Sequence, residues 1–455
     1  MTTVGGEKTF NMKLWDKGTS VNKRIEDFTV GKDRELDVML APFDVLGTMA
    51  HIKMLEKIGL LKKDELDVLL EELKTIYAKA NDGVFTIDEG VEDVHSQVEF
   101  LLTEKLGDIG KKVHSGRSRN DQVLLDLKLF ARHRIEEMVQ GVEQLFGTLQ
   151  QKSEEFKDVL IPGYTHLQVA MPSSFGLWFG AFAESLADDL HLVKAAWNVA
   201  NQNPLGAAAG YGSSFPLDRT MTTRLLGFED MNYNVVYAQM GRGKMERTVA
   251  FAIASIAGTL SKLAMDGCLF MSQNFGFIKL PDELTTGSSI MPHKKNPDVF
   301  ELIRGKCNVL QTLPQTIGSV TTNLPTGYFR DYQVIKEYFL PAFDELMDSL
   351  AIANFAIENI TINKDVITDE KYKLAFTVEE VNRLVLDGMP FRDAYKEVGL
   401  KVERGEFEPD YSVNHTHEGS IGNLCNNDIA TKLKQIVNSF EFEKVHSALD
   451  ELLKA

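Results

Sequence analysis

Four polar stretches of the 455-residue chain carry residue types able to do chemistry. The first is His114-Ser115-Gly116-Arg117-Ser118-Arg119-Asn120-Asp121-Gln122. It sets two arginines, a serine and an asparagine just ahead of a long apolar periodicity, with Asn120 or Asp121 placed to cap the helix that follows. Unpaired N–H groups and the macrodipole at a helix start favour anions, so this composition suits a carboxylate or a phosphate. A solvated basic turn with an ordinary cap fits the same residues. The second stretch, Pro162-Gly163-Tyr164-Thr165-His166-Leu167-Gln168, precedes a helix expected to begin near Pro172. His166 there has the chemistry of an acid/base group titrating near neutrality, although an isolated histidine is more often a hydrogen-bonded structural residue.

The third stretch, Thr286-Gly287-Ser288-Ser289-Ile290-Met291-Pro292-His293-Lys294-Lys295-Asn296-Pro297, is the most specific. Asn296 can cap a helix whose first position is Pro297, and Gly-Ser-Ser has the freedom of a mobile lid. A serine near lysines and a helix N-terminus sits where an alkoxide or an enolate-like intermediate would be stabilised. Glu301, on the first turns of that helix, can orient a histidine. The fourth, Leu324-Pro325-Thr326-Gly327-Tyr328-Phe329-Arg330-Asp331-Tyr332-Gln333-Val334-Ile335-Lys336, opens another helix with side chains suited to a polar ligand.

The elements that must hold these loops are helical. From Leu124 onward apolar residues recur at Leu127, Ala131, Ile135, Met138, Val142, Leu145 and Leu149, one face of a long helix. Similar segments run over 173–199, 244–274, 298–313 and 334–357. Strand patterning is scarce, limited to short extended pieces at 83–85 and 276–280. This predicts an all-α bundle with boundaries near 107–112 and 358–364, giving domains 1–112, 113–360 and 361–455. The helices over 175–190 and 248–270 are apolar around most of their circumference, more than one bundle buries, so burial by neighbouring subunits is expected.

Composition narrows the function. Lys+Arg total 49 against Asp+Glu 66, a formal charge of −17, which argues against nucleic acid as a partner. The stretch 111–120 nevertheless carries Lys111, Lys112, Arg117 and Arg119 and no acid, a local basic site. Cys268, Cys307 and Cys425 have neither metal nor redox spacing, which suits a reducing, cytoplasmic setting. Lys262 and Asp266 interrupt the most hydrophobic stretch, so it reads as a bundle helix and no membrane is implied. His415-Thr416-His417-Glu418 lacks a metal-binding helical spacing, and Gly206–Gly212 and Gly241-Arg242-Gly243 follow no strand, so they fit no nucleotide fingerprint.

The loop from Gly287 to Pro297 resembles the signature of the fumarase/aspartase superfamily, whose members break C–N or C–O bonds by β-elimination and release fumarate. Gly116-Arg117-Ser118-Arg119-Asn120-Asp121-Gln122, Gly163-Tyr164-Thr165-His166-Leu167-Gln168 and the spacing Tyr328…Gln333…Lys336 are similar to the argininosuccinate lyase family within it. The resemblance runs from about Lys13 to Arg392. It implies an all-α fold with a central bundle of long helices and smaller N- and C-terminal domains. It also implies a homotetramer with a twenty-helix core, active sites shared between subunits, and cleavage of argininosuccinate to arginine and fumarate without metal or organic cofactor.

Carried over residue by residue, the resemblance makes Ser288 the base that takes the succinyl proton. Lys294 and Asn296 hold the resulting aci-carboxylate, and His166, paired with Glu301, is the candidate proton donor to the leaving nitrogen. Thr165, Ser118, Arg119 and Asn120 match carboxylate-binding positions. Tyr328, Gln333 and Lys336 match positions around the arginine-derived part, and His95 a further site position. The family's N-terminal Trp-Gly-Gly-Arg-Phe reads Trp15-Asp16-Lys17-Gly18-Thr19 here, and a substrate-binding serine is replaced by Thr29. Two other readings are a fumarate-releasing lyase for a different succinylated amine and a non-catalytic protein that keeps the fold.

Overall fold

A computed structural model describes residues 22–287 and 289–454, so Ser288 and the Trp15–Thr19 motif lie outside the described residues. The chain begins with α1 (Lys23–Val30), α2 (Asp33–Leu36), α3 (Ala41–Lys57), α4 (Lys63–Asn81), α5 (Val94–Leu106) and α6 (Asp108–Lys111). The long helices follow: α7 (Arg119–Glu155), α8 (Phe175–Ala200), the short α9 (Arg219–Leu225) and α10 (Val235–Met240), then α11 (Lys244–Met271), α12 (Asp298–Leu310), α13 (Leu313–Val320) and α14 (Tyr332–Glu358). Helices α15 (Thr377–Leu386), α16 (Phe391–Glu403), α17 (Asn426–Asn438) and α18 (Phe442–Lys454) complete it. The fold is all-α.

The bundle core forms where the apolar faces of α7, α8, α11 and α14 meet. Helix α11 has the length and apolarity of a membrane span, yet it packs against α8, α12, α13 and α14. The predicted stripe of α7, from Leu127 to Leu149, is buried throughout. Phe343 of α14 meets Phe130 of α7 edge-to-face at 5.5 Å and, within its own helix, Phe339 edge-to-face at 5.2 Å, the first of these contacts tying α14 to α7.

From Asp121 to Arg132 α7 is buried on every side, polar residues included. Buried cations there need partners, and carbonyls supply them. Lys128 Nζ donates to the Val199 carbonyl at 3.1 Å, in the last turn of α8. Arg132 donates to Asn201 Oδ1 at 3.0 Å and to the Leu226 and Gly227 carbonyls at 2.8 and 3.1 Å.

Local structure departs from the sequence expectation in three places. The 160–174 stretch is a β-hairpin, with β1 (Leu160–Thr165) antiparallel to β2 (Gln168–Ser174). Pro162 faces Pro172 in its ladder, and the next helix starts three residues late, at Phe175, because Ser174 Oγ caps it by accepting from Leu177 N at 3.1 Å. Residues 83–85 form no strand, whereas Ile278–Lys279 pairs with Thr361–Ile362. The helix after Asn296 begins at Asp298, with Pro297 as its N-cap residue and no side-chain cap. Asn296 instead pairs with Thr286 in a short antiparallel ladder.

Phe343 is fully buried between two aromatic rings. Phe343→Ala should therefore cost about 3–5 kcal/mol, read as a lower urea midpoint with the helical circular dichroism of the native state retained.

Candidate active site

Ser118 begins the site. Its extended backbone lets Oγ accept from Asn120 N at 3.2 Å, while Asp121 Oδ1 accepts from Ser118 N at 2.8 Å, a reciprocal capping box. The N-cap is thus Ser118, not Asn120 or Asp121. The other oxygen of Asp121, Oδ2, accepts from Gly206 N at 3.0 Å and Ala208 N at 2.8 Å, binding the glycine-rich turn to the start of α7. Burial pushes its carboxyl up to about 6, against the pull of these three N–H donors.

A cleft of about 200 Å³ opens beside this node. Arg119 and Asn120 line it from α7, His95 from α5, and Tyr328, Gln333 and Lys336 from α14 and the loop before it. Six of the residues singled out in the sequence therefore share one cavity. Thr29 adjoins them differently: its hydroxyl donates to the Ile25 carbonyl at 2.9 Å, within α1, and only its own carbonyl faces the group. That carbonyl accepts from Gln333 Nε2 and from Arg330 Nη2, both at 2.9 Å.

Acidic residues that the sequence did not mark complete the lining. Lys336 Nζ lies 2.7 Å from Asp33 and 2.6 Å from Asp37. Burial opposes the ammonium charge, but the two carboxylates outweigh it and hold Lys336 above its ordinary value. Burial, reinforced by Asp37, lifts Asp33 to about 6 despite the lysine. Arg119 pairs with Glu92 at 3.1 Å and Asp93 at 3.2 Å. Arg242 enters from Gly241-Arg242-Gly243, its Nε donating to Glu246 at 2.9 Å and its Nη2 to the Tyr332 carbonyl at 3.0 Å. Asp33 and Asp37 stand in no motif, and Gly241-Arg242-Gly243 fits no nucleotide fingerprint; only folding brings these residues here.

These pairings also revise the expected basic site at 111–120. Lys111 is matched by Asp108 at 2.7 Å, Lys112 by Glu65 and Arg119 by Glu92. Arg117 turns away from the cleft and donates to Thr48 Oγ1 at 2.9 Å. The cavity is lined by Asp33, Asp37, Glu92 and Asp93 against Arg119, Arg242, Arg330, Lys336 and His95, a mixed-charge surface suited to a zwitterion.

His95 is enclosed by carboxylates. Its Nδ1 lies 2.7 Å from Asp44 Oδ1 and 3.4 Å from Asp126 Oδ2. Burial alone would depress the imidazolium; Asp44, Asp126 and Asp93 reverse that and lift it to about 9. The ligand atoms of Asp44, His95 and Asp126 all fall within 4.8 Å, but a ring nitrogen that donates to a carboxylate has no lone pair for a metal.

The remaining predicted residues lie elsewhere on the chain. Thr165 and His166 are exposed at the tip of the β1–β2 hairpin, not at a helix start. His166 and Leu167, at φ 54° and 58°, form its two-residue turn. Lys294 and Glu301 are exposed as well. The ladder of Thr286–Gly287 with Lys295–Asn296, fastened by Thr286 N donating to Asp298 Oδ2 at 3.2 Å, forms the neck of the loop that carries Lys294. Within one chain, no described residue of this loop or of the hairpin tip lines the cleft.

Residues 11–311 match the protein family described as lyase. An argininosuccinate lyase of Parabacteroides distasonis is 66% identical over 441 residues, covering 97% of this chain and 99% of that protein. One of Bacteroides thetaiotaomicron has the same identity and coverage. Among solved structures, an EDDS lyase in complex with formate is similar with a TM-score of 0.77 at 21% identity, over 96% of this chain and 95% of that one, a likeness of fold.

The hairpin tip places a histidine and a leucine where Asn-Gly would be favoured, because both turn positions need positive φ. His166→Asn should stabilise the protein by a few tenths to about 1 kcal/mol, seen as a small rise in melting temperature. A fall in melting temperature would show that the imidazole has structural contacts.

Proposed function

The chain belongs to the lyase family, and from that membership we propose that it cleaves argininosuccinate to L-arginine and fumarate by β-elimination. The observation that carries this reading is the 66% identity to argininosuccinate lyases across 97% of the chain. Arginine biosynthesis is the corresponding role. The mixed charge of the cleft agrees with the substrate, which presents carboxylates together with an ammonium and a guanidinium group.

In this scheme Ser288 takes the proton from the succinyl carbon next to a carboxylate. Lys294 and Asn296 hold the dianion that results. The electron pair of the dianion then forms the double bond of fumarate as the C–N bond breaks, and the C–N pair leaves on the guanidinium nitrogen, which takes a proton from an acid. His166, oriented by Glu301, is that acid. Thr165, Ser118, Arg119 and Asn120 bind carboxylates, with His95 beside them. Tyr328, Gln333 and Lys336 surround the arginine-derived part, with Thr29 at its edge.

Residues of the cleft and residues of the two exposed loops must meet for this to work, and a homotetramer with shared sites brings them together. Exposed apolar side chains on the long helices support that assembly: Phe251 on α11, Leu302 and Val309 on α12, and Ile352 and Phe355 on α14. A three-domain division at 112 and 360 and a cytoplasmic location belong to the same reading.

The purified protein mixed with argininosuccinate should generate the ultraviolet absorbance of fumarate. Ser288→Ala should lower kcat roughly 10²–10⁴-fold, and a rate near wild type would remove Ser288 as the base. Shared sites predict that inactive Ser288→Ala and Lys336→Met proteins, unfolded and refolded together, recover part of the wild-type rate. No recovery by mixed tetramers would place each site within one subunit.

A further inference from the structure

The surroundings of His95 divide two buried aspartates into different roles. Asp44, on α3, and Asp126, on α7, are 2% and 1% exposed, and they approach the same imidazole nitrogen. Asp44 Oδ1, at 2.7 Å, is hydrogen-bonded to Nδ1; Asp126 Oδ2 lies farther off at 3.4 Å and makes no hydrogen bond among the described residues. Two buried carboxyl groups beside one imidazole oppose each other's ionisation, because each takes solvation from the other and adds its own repulsion. Burial and the neighbouring Asp44 push Asp126 well above the carboxylate range. The other charged groups of this cluster are Asp93 at the start of α5, Asp37 before α3, Glu99 on α5, and His114, Arg117 and Arg119 ahead of α7.

The bond to Asp44 uses Nδ1, so Nε2 is the ring nitrogen left to the cleft that His95 lines. We infer that Asp44 is a positioning residue for the elimination: it holds the His95 ring through Nδ1 and keeps it cationic, so that Nε2–H binds a substrate carboxylate, while Asp126, farther from the ring and not bonded to it, plays the lesser part. This rests on the lyase reading given above, which supplies the carboxylate. Asp44 touches no substrate and acts only through the ring. The pairing also gives His95 its place in the site: a histidine that stays protonated at neutral pH is an anion ligand and not a general base.

The proposal separates Asp44→Asn from Asp126→Asn, two substitutions of equal size in the same cluster. With Asp44→Asn the counter-charge is lost, so the alkaline limb of kcat/KM should move from about 9 toward ~6.5. At pH 8 kcat/KM should fall roughly 10- to 100-fold. Asp126→Asn removes the more distant carboxyl, whose influence on the ring is the smaller one, so the limb should move less and the fall should be smaller. An unmoved limb in Asp44→Asn, or equal damage from both variants, overturns the assignment. Should Asp44→Asn not fold, nuclear magnetic resonance of histidine-labelled wild-type protein, with His95 assigned from His95→Gln, decides instead: titration near pH 9 supports the proposal and titration near 6.5 sinks it. That titration does not depend on turnover, so a wild-type protein that releases no fumarate would end the substrate reading while leaving the Asp44–His95 assignment to its own result.

Discussion

Burial of the N-terminal end of α7 is the constraint on which the site is built. The longest helix of the chain starts inside the protein, where its first N–H groups and several charged side chains are out of water. Each unpaired group there costs on the order of 1–3 kcal/mol, so the fold brings partners to it. Ser118 and Asp121 satisfy the helix start, and the spare oxygen of Asp121 gathers the turn at Gly206 and Ala208. Lys128 and Arg132 are met by carbonyls at the ends of α8 and α9 and by Asn201. A structural requirement thereby fixes the walls of the cleft.

The same requirement governs charge inside the cavity. Arg119 and Lys336, marked from the sequence as anion-binding or ligand-binding groups, each have a pair of carboxylates within about 3 Å. A dry cavity lined by bare cations would oppose its own folding; a paired one holds its side chains in fixed rotamers before any ligand arrives. The protein is acidic as a whole and electrostatically mixed at its site, so net charge describes its solvated outside and not its recognition surface.

The elements most legible in the sequence were those with the longest periodicity. The stripe from Leu127 to Leu149 marked α7, and the starts of α11 and α12 lie where the apolar pattern puts them. The β1–β2 hairpin escaped notice because its arms contain Pro162 and Pro172 and its turn is His-Leu, so neither alternation nor a glycine turn announced it. Cap identity was also illegible at single-residue resolution. Ser118, Asn120 and Asp121 are all good caps, and the choice fell to Ser118 because Asp121 at the third position could satisfy both the helix and the Gly206 turn.

The helical class, the four loops that bear chemistry and the family those loops resemble could be read from the chain alone, because periodicity and motif spacing are local properties. Which of those residues share a cavity was settled by folding. His95, Asn120 and Gln333 meet although more than two hundred positions separate the first from the last, while His166, Lys294 and Glu301 stay apart from them in a single chain. Folding also supplied the carboxylates of Asp33, Asp37, Asp44 and Asp126, which no motif marks. Their effect is electrostatic and is strongest where water is excluded, and it depends on distance in space, which sequence order does not record.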